Sequence, residues 1–175
     1  YAQDSRYHHP FSVDKDIDIF YGGSLNMAHY GDRGRYLERI ARLSDRYSVV
    51  LADHVFDEAY GRLMARSRIV FNRSVRGEAN LRTFETLAVG SIAFVERENL
   101  EIRDWFTDGR EIVLYGEDDL EERLHECLAE SSKGATIAHL GHARAAEFAP
   151  ENRIDALVDW AIHVTPSGRR FHRLD

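Results

Sequence analysis

The chain has 175 residues, 43% of them hydrophobic, and carries a formal net charge of −7 with a pI near 5.7. This length and composition suit one domain with a real core, and the acidic balance gives no support for nucleic-acid binding. No apolar run approaches the ~20 residues that a membrane span requires. A single cysteine, Cys127, excludes an internal disulfide and a cysteine-rich zinc site, and it fits a cytoplasmic protein.

Short apolar runs alternate with helical patterns along the chain. The predicted elements, in chain order, are strand 17–21, helix 35–46, strand 48–52, helix 57–67, strand 68–72, helix 81–89, strand 91–95, strand 111–115, helix 118–130, and helices over about 132–148 and 151–163. Asp57 is the expected N-cap of its helix, and Pro150 is the expected start of the last one. This alternation predicts an α/β fold, a doubly wound, Rossmann-like parallel sheet with helices on both faces.

The two ends of the chain depart from this alternation. The first fifteen residues are polar and irregular, and the chain begins at Tyr1 without methionine, which predicts a piece of a longer protein. We therefore expect an irregular interdomain linker over 1–15, one Rossmann-like domain over 16–163 and a flexible tail over 164–175.

The most informative stretch runs from Asn72 to Val95, NRSVRGEANLRTFETLAVGSIAFV. It predicts one parallel βαβ unit whose loop opens onto a helix N-terminus, where free N–H groups and the helix dipole favour an anion. Arg82 can clamp a diphosphate with its fork of donors. Glu85, on the same helical face, can accept hydrogen bonds from two sugar hydroxyls. Together they indicate a nucleotide sugar; a capped helix with a surface Arg–Glu pair is the alternative on these residues alone.

Other polar or glycine positions follow the predicted strands at the same edge of the sheet. They are Gly22-Gly23-Ser24 after the first strand, Asp53-His54 after the second, Asn72-Arg73 after the third, and Glu96 with Asn99 after the fourth. Ligands of doubly wound sheets lie beyond the carboxyl ends of the strands, so these positions predict one cleft. The glycines do not form a G-x-G-x-x-G fingerprint, which disfavours a dinucleotide site of that type.

These residues resemble the C-terminal, donor-binding domain of GT-B glycosyltransferases of the group 1 type, especially the group related to the spore-maturation protein CgeB. The resemblance covers roughly residues 17 to 162 and is strongest in N-x(9)-R-x-F-E-x-L-A-x-G, from Asn72 to Gly90. The opening strand with its glycine pair, the segment Phe106 to Tyr115 and the helix start Asn152-Arg153 add to it.

The resemblance implies a role for each matching residue. The implied donor-binding residues are Gly22, Gly23 and Ser24 at the phosphates, Asn72, Asn80, Leu81 and Arg82 at the helix mouth, Glu85 on the ribose hydroxyls, and His54 and Val55 near the nucleobase. Arg33, or Arg35 on the same segment, would lie against the leaving diphosphate. Because stabilisation of that charge is the main catalytic help in a metal-independent enzyme of this kind, the expected catalytic residues are Arg82, Glu85 and Arg33.

The implied activity is transfer of a hexosyl-type sugar from a nucleotide-diphosphate sugar to an acceptor. The expected partners are that donor and an N-terminal acceptor domain of the same protein, without which the fragment is expected to be inactive. No metal or cofactor is expected, since no D-x-D motif of the metal-binding sort is recognised. Nothing in residues 53–58 decides between uridine, guanosine and thymidine donors.

The sequence departs from the family pattern at one position. Many retaining relatives carry a second glutamate eight residues before the first, where this chain has Gly77, with Glu78 one residue off. Retaining stereochemistry is therefore not established by the sequence. Two alternatives stay open: a non-catalytic scaffolding domain of the same fold with a decayed donor site, which Gly77 favours, and one half of a sugar-nucleotide epimerase.

Overall fold

The computed structural model describes residues 6–25, 32–149, 154 and 157–162. Its strands are β1 Ile17–Gly22, β2 Val49–Ala52, β3 Ser67–Phe71, β4 Ile92–Glu96 and β5 Val113–Tyr115. Its helices are α1 Arg33–Arg42, α2 Asp57–Arg66, α3 Leu81–Ala88, α4 Leu120–Ala129 and α5 Ser131–Ala145. Short 3-10 helices span Leu43–Asp45, Ile102–Asp104 and Ala146–Phe148, and residues 154 and 157–162 are helical. Within these ranges, no helix is both long and apolar enough to cross a membrane.

The strands form one parallel sheet in the order β2-β1-β3-β4-β5. Ile69 in β3 pairs with Ile19 in β1 on one side and with Ile92 in β4 on the other. The chain leaves β1 in one direction to form β2, then crosses to the other side of β1 to form β3. The order therefore reverses between β1 and β3, and a crevice opens at such a point in doubly wound sheets.

Helices cover both faces of the sheet, which confirms the predicted fold class. On one face, α1 and α4 pack against Tyr21, Phe71 and Phe94. On the other face, Met64 of α2 packs with Phe20, and α3 joins a separate cluster over Ala93 and Val95. Because β3 and β4 are largely buried on both faces, Ile69–Phe71 and Ile92–Val95 are continuous apolar runs in the sequence.

The ends of several elements differ from the prediction. Strand β5 has three residues rather than five, and Glu111 lies in the turn before it, where its carboxylate accepts a bond from Thr107 N (2.8 Å). The prediction that Asp57 caps α2 was wrong: the N-cap is Phe56 in extended conformation, and Asp57 is the first residue of the helix, with a left-handed φ of 53°. The predicted helix over 132–148 is α5 followed by a 3-10 turn. Pro150, Asn152-Arg153 and the predicted tail lie outside the described residues.

The segment over residues 6–15 is irregular in its backbone and lies along α2. The carbonyl oxygen of Tyr7 lies 2.0 Å from where a Cβ on Gly61 would be, so only glycine permits this approach. The Lys15 ammonium donates to the carbonyl oxygens of Ala65 (3.0 Å) and Ser67 (2.8 Å). These contacts fix the segment to the domain and bring its first residues near α3.

Candidate functional site

The N-terminus of α3 opens at the point where the strand order reverses, and Asn72 holds it there. Asn72 is 1% exposed, and its amide group exchanges two hydrogen bonds with the amide group of Asn80 (2.9 and 3.1 Å). It also donates to Thr83 Oγ1 (2.9 Å) and accepts from Arg82 Nη1 (3.2 Å). The Tyr115 hydroxyl donates to the Asn72 carbonyl oxygen (2.8 Å). The structure therefore makes Asn72 the support of the first turn of α3.

The Arg82 guanidinium extends from α3 across to the glycine pair after β1. Its Nε donates to the Tyr60 hydroxyl (3.2 Å), and its central carbon lies 4.8 Å from the centre of the Tyr21 ring. A Cβ on Gly23, whose φ is 151°, would lie 2.5 Å from Arg82 Nη2. A fixed positive charge thus stands beside the free N–H groups of a helix N-terminus, an arrangement that suits a phosphate.

Glu85 lies one turn further along the same face of α3. Its side chain is only 16% exposed, and its Oε1 lies 3.8 Å from Nε2 of His8, which is 8% exposed. Burial raises the pKa of the Glu85 carboxyl, and the nearby His8 and Arg82 act against this rise. Glu85 is largely buried, and Arg82 bonds to Tyr60 and Asn72. The two side chains therefore do not form the surface Arg–Glu pair that was the alternative from the sequence.

Two adjoining cavities share Tyr60, Arg82 and Glu85. The first has a volume of about 540 Å³ and is also lined by Arg6, Tyr7, His8, Gly22, Gly23, Val55, Phe56 and Asp57. The second, of about 340 Å³, is also lined by Arg33, Ser74, Val75, Glu78, Asn80 and Leu81. Sites for small molecules and cofactors have volumes of roughly 300–1,000 Å³. The two cavities therefore form one cleft with room for an extended ligand that contacts both Arg82 and Glu85.

A further cavity of about 510 Å³ lies at the opposite end of the sheet, between Lys15, Arg68 and α5. Its floor is largely apolar. The Arg68 guanidinium there bonds to the carbonyl oxygen of Leu128 (2.9 Å) and to Asp18 (3.2 Å), and the Lys15 ammonium is held by backbone carbonyls. Because its cations are already engaged and it lies at the C-terminal end of α3 rather than at its N-terminus, this cavity is not the candidate site.

The structure separates the two arginines proposed for the leaving group. Arg33 lines the second cavity and donates to the Arg73 carbonyl oxygen (3.1 Å). Arg35, two residues later on α1, faces another way and pairs with Glu117 at 2.8 Å. Only Arg33 is placed against the cleft that Arg82 and Glu85 share.

The residues that follow β1 and β2 also differ in whether they line the cleft. Val55 lines the first cavity, whereas His54 is exposed, with φ 56°, and lies 3.2 Å from the Asp53 carboxylate. The described contact of Ser24 is through its backbone: its carbonyl oxygen accepts a bond from the Tyr21 hydroxyl (3.3 Å). His54 thus lies in a turn, and Val55 and Phe56 are the residues of this loop that line the cleft.

The loop before α3 explains the missing second glutamate. Gly77 has φ 74°, a left-handed conformation that a side chain adopts only with strain, and its carbonyl oxygen accepts a bond from Leu100 N (3.0 Å). Glu78 turns back on its own loop and accepts hydrogen bonds from Val75 N (3.4 Å) and Arg76 N (2.7 Å). The Glu78 carboxylate is therefore engaged by backbone at the edge of the second cavity.

Glu96 supports the loop before α3, and two other acidic residues, Asp16 and Asp18, lie away from the cleft. Glu96, at the end of β4, is 1% exposed and accepts from Ser74 N (3.0 Å); burial raises its pKa. The letters D-x-D occur in residues 14–18, Asp14-Lys15-Asp16-Ile17-Asp18. The carboxylates of Asp16 and Asp18 lie at the amino end of β1 and bind Arg66 (2.8 Å) and Arg68 (3.2 Å), at the far edge of the sheet from the cleft.

Sequence reasoning missed Tyr60 and His8. Tyr60 lies on α2 and holds Arg82, but in the sequence it is one apolar position of an amphipathic helix. His8 lies in an irregular segment, 77 positions before Glu85 in the printed sequence. No periodic pattern relates two such positions, so only their contact in the fold identifies them.

No curated protein matches the sequence. Among solved structures, HepE of Anabaena in complex with UDP is 16% identical with a TM-score of 0.63, over 85% of this chain and 41% of that one. The C-terminal domain of LpcC, a group 1 family glycosyl transferase of Francisella tularensis, is 11% identical with a TM-score of 0.64, over 85% of this chain and all of that domain. Sucrose-phosphate synthase of Thermosynechococcus elongatus is 13% identical with a TM-score of 0.64, over 94% of this chain and 52% of that one.

These likenesses concern the fold, which is that of the C-terminal domains of GT-B glycosyltransferases. The chain spans less than half the length of the HepE chain that it matches. A family model described as glycosyl transferase-like matches residues 16–159, well over half of the sequence, and the chain therefore belongs to the glycosyl transferase-like family.

Proposed function

We propose that this chain is the donor-binding domain of a glycosyltransferase and that its cleft holds a nucleotide-diphosphate sugar. The observation that carries the proposal is the convergence of Arg82 and Glu85, from one face of α3, on a single cleft beside the glycine pair after β1. Relatives support it, since HepE structures contain UDP and UDP-glucose.

Each part of such a donor has a matching feature in the cleft. The diphosphate would lie among the free N–H groups of the first turn of α3, the Arg82 guanidinium and the backbone at Gly22-Gly23. The ribose hydroxyls would donate to the Glu85 carboxylate. The nucleobase would then lie in the first cavity beside Val55.

Catalytic help in this proposal is electrostatic. As the bond from sugar to diphosphate breaks, negative charge grows on the leaving oxygen, and fixed positive groups nearby stabilise that charge. Arg82 is fixed by Tyr60 and Asn72, and Arg33 lines the adjoining cavity. The proposed enzyme is CgeB-like, transfers a hexosyl-type sugar and requires no metal. An N-terminal domain of the same protein would bind the acceptor, and the donor-binding domain alone would be inactive.

A cytoplasmic location completes the proposal. The chain has one cysteine, Cys127, which is buried in the core between α4 and the sheet. Burial raises the pKa of its thiol to about 11, so the reactive thiolate is scarce at neutral pH.

A scaffolding domain with a decayed site is the second candidate. The positive φ of Gly77 and the turned-back Glu78 favour it, because the cleft then lacks the second carboxylate that many retaining relatives present. The intact pair of Arg82 and Glu85 favours donor binding. The two candidates differ in one measurable property, affinity for a nucleoside diphosphate.

Thermal unfolding of the chain with UDP, GDP, ADP, dTDP and UDP-glucose separates them. A ligand at a hundredfold excess over Kd adds about 2.7 kcal/mol to stability, which raises Tm by about 5–10 °C in a chain of this size. We expect one base to give this shift, and Arg82→Ala and Glu85→Ala to abolish it while Arg66→Ala, on the far edge, does not. No shift with any ligand at millimolar concentration would leave scaffolding as the better reading.

A further inference from the structure

His8 is a buried histidine whose surroundings do not account for it as a core residue. It is 8% exposed, and neither ring nitrogen has a hydrogen-bond partner among the described residues. Its Nε2 lies 3.8 Å from Glu85 Oε1, and its ring meets the Tyr60 ring edge-on at 6.3 Å. A buried polar group without hydrogen bonds costs stability, so an apolar residue would serve the packing better. The position of the His8 ring instead fits an interaction with the Glu85 carboxylate.

The segment that carries His8 is held in place by its own contacts. The Tyr7 backbone lies against Gly61 in α2, and the Phe11 ring lies 4.9 Å from the Arg62 guanidinium carbon. The first cavity stays open, at about 540 Å³, with residues 6–8 along one side. The segment therefore forms a wall of the cleft without filling it.

Among the charged groups around Glu85, His8 is the one placed to donate to the Glu85 carboxylate. Arg82, on the same helix, donates to Tyr60 and Asn72. Other charged groups that line the cleft are Arg6 from the segment before β1, Asp57 from α2, Arg33 from α1 and Glu78 from the loop before α3. Of the residues with a described contact to the Glu85 carboxylate, His8 is the one whose ring N–H groups are not already given to another acceptor.

We propose that residues 6–8 form part of the donor site and that His8, as an imidazolium, is the positioning residue that keeps Glu85 charged and aimed at the ribose hydroxyls. This inference rests on the proposed function. Because the segment precedes β1, donor affinity is then tied to the placement of the chain that leads into this domain.

The proposal predicts a dependence of affinity on pH. In mild acid Glu85 gains a proton early, because burial raises its pKa, and it loses its strength as an acceptor. Donor affinity should therefore fall toward acid pH. This fall should begin at a higher pH in His8→Gln, because the charge of His8 acts against the rise of the Glu85 pKa.

The first test observes His8 directly. The chain is labelled with ¹⁵N-histidine, and the ring nitrogen signals, which report whether the imidazole carries its second proton, are recorded at pH 6.5. The Glu85→Gln variant should shift the His8 signals toward the neutral form and leave the His9 signals unchanged, because His9 is exposed and bonds to the Pro10 carbonyl oxygen. Unchanged His8 signals would overturn the proposal.

The second test measures binding of UDP-glucose, or of the diphosphate sugar of whichever base the panel identifies. Such a donor is chosen because its diphosphate does not titrate in this range. Wild type and His9→Gln should bind alike at both pH 6 and pH 8. His8→Gln should bind about tenfold more weakly than wild type at pH 6, the scale of a change of one unit of pKa in a coupled group, and should recover toward pH 8.

The outcomes separate the two proposals. If His8→Gln binds like wild type while Arg82→Ala and Glu85→Ala do not bind, the role of His8 is refuted and donor binding stands. If His8→Gln weakens binding but keeps the wild-type pH profile, the imidazolium role is refuted. If wild type binds no donor at either pH, the proposed function fails, and the role of His8 in the donor site fails with it.

Discussion

Arg82 passes so close to Gly23 that a Cβ on residue 23 would lie 2.5 Å from its Nη2. This contact joins the loop after β1 to the first turn of α3, across the point where the strand order reverses. A guanidinium at this position has to lie over a glycine, because every other residue would occupy the space of its nitrogen. The glycine pair and the arginine are therefore one structural unit.

Gly23→Ala should accordingly displace Arg82 and weaken nucleoside diphosphate binding by about tenfold or more, since a charged hydrogen-bonding group leaves the site. The measurement is calorimetric titration with the diphosphate that binds wild type. Gly109→Ala is the control: Gly109 has φ 73°, but a Cβ there would meet nothing within 4 Å. It tests backbone strain without a clash, and an equal loss of affinity in both variants would contradict this account.

Arg82→Lys should weaken diphosphate binding about tenfold although the charge is kept. The guanidinium uses separate nitrogens for Tyr60 and Asn72 and stacks over Tyr21, and an ammonium cannot make these contacts together. Arg66→Lys is the matched control, because Arg66 forms a forked pair with Asp16 at the far edge of the sheet. If Arg82→Lys binds like wild type, a point charge suffices there.

Glu85→Gln should abolish binding and raise Tm at neutral pH. The pKa of Glu85 is raised in the folded chain, mainly by burial, so the folded state holds this proton more tightly than the unfolded state. Its contribution to stability is then complete in acid and is lost as the pH rises through the raised pKa. The difference in Tm between variant and wild type should therefore grow from pH 4 to pH 7. A difference that shrinks over this range would show that the pKa is lowered instead.

Asn72→Ala should destabilise the fold by about 1–3 kcal/mol, because the amide bonds to Asn80, Thr83 and Arg82 are lost inside the protein. In a chain of this size that lowers Tm by roughly 2–12 °C. Denaturant unfolding measures the change. Asn80→Ala removes only the pair with Asn72 and should cost less, so a larger loss for Asn80→Ala would show that Asn72 is not the main support of the turn.

Arg33→Ala should weaken diphosphate binding several-fold, whereas Arg35→Ala should leave it within about twofold of wild type, since exposed ion pairs contribute little. Arg33 lines the cleft, and Arg35 pairs with Glu117 on the surface. Titration of both variants with the same diphosphate compares them. The reverse order of effects would assign the leaving-group role to Arg35.

The sequence by itself determined the class of fold, and it predicted a candidate site on one helix. Apolar runs mark the buried strands, and apolar residues at helical spacing mark the helices. These local patterns predicted each described strand and α-helix to within a few residues. The spacing from Asn72 to Arg82 and Glu85 placed both side chains at the mouth of α3, because neighbours on a helix are set by its pitch. The sequence was wrong where a single backbone angle decides, as at Asp57.

Only the tertiary structure decided the strand order, the separation of Arg33 from Arg35, and the contacts of Tyr60 and His8 with the site. These features join residues far apart in the chain, and packing between whole elements creates them. A local sequence pattern does not specify which distant helix or segment packs against it. Thus the sequence identified the carboxylate of Glu85, and the fold alone showed that a buried histidine stands against it.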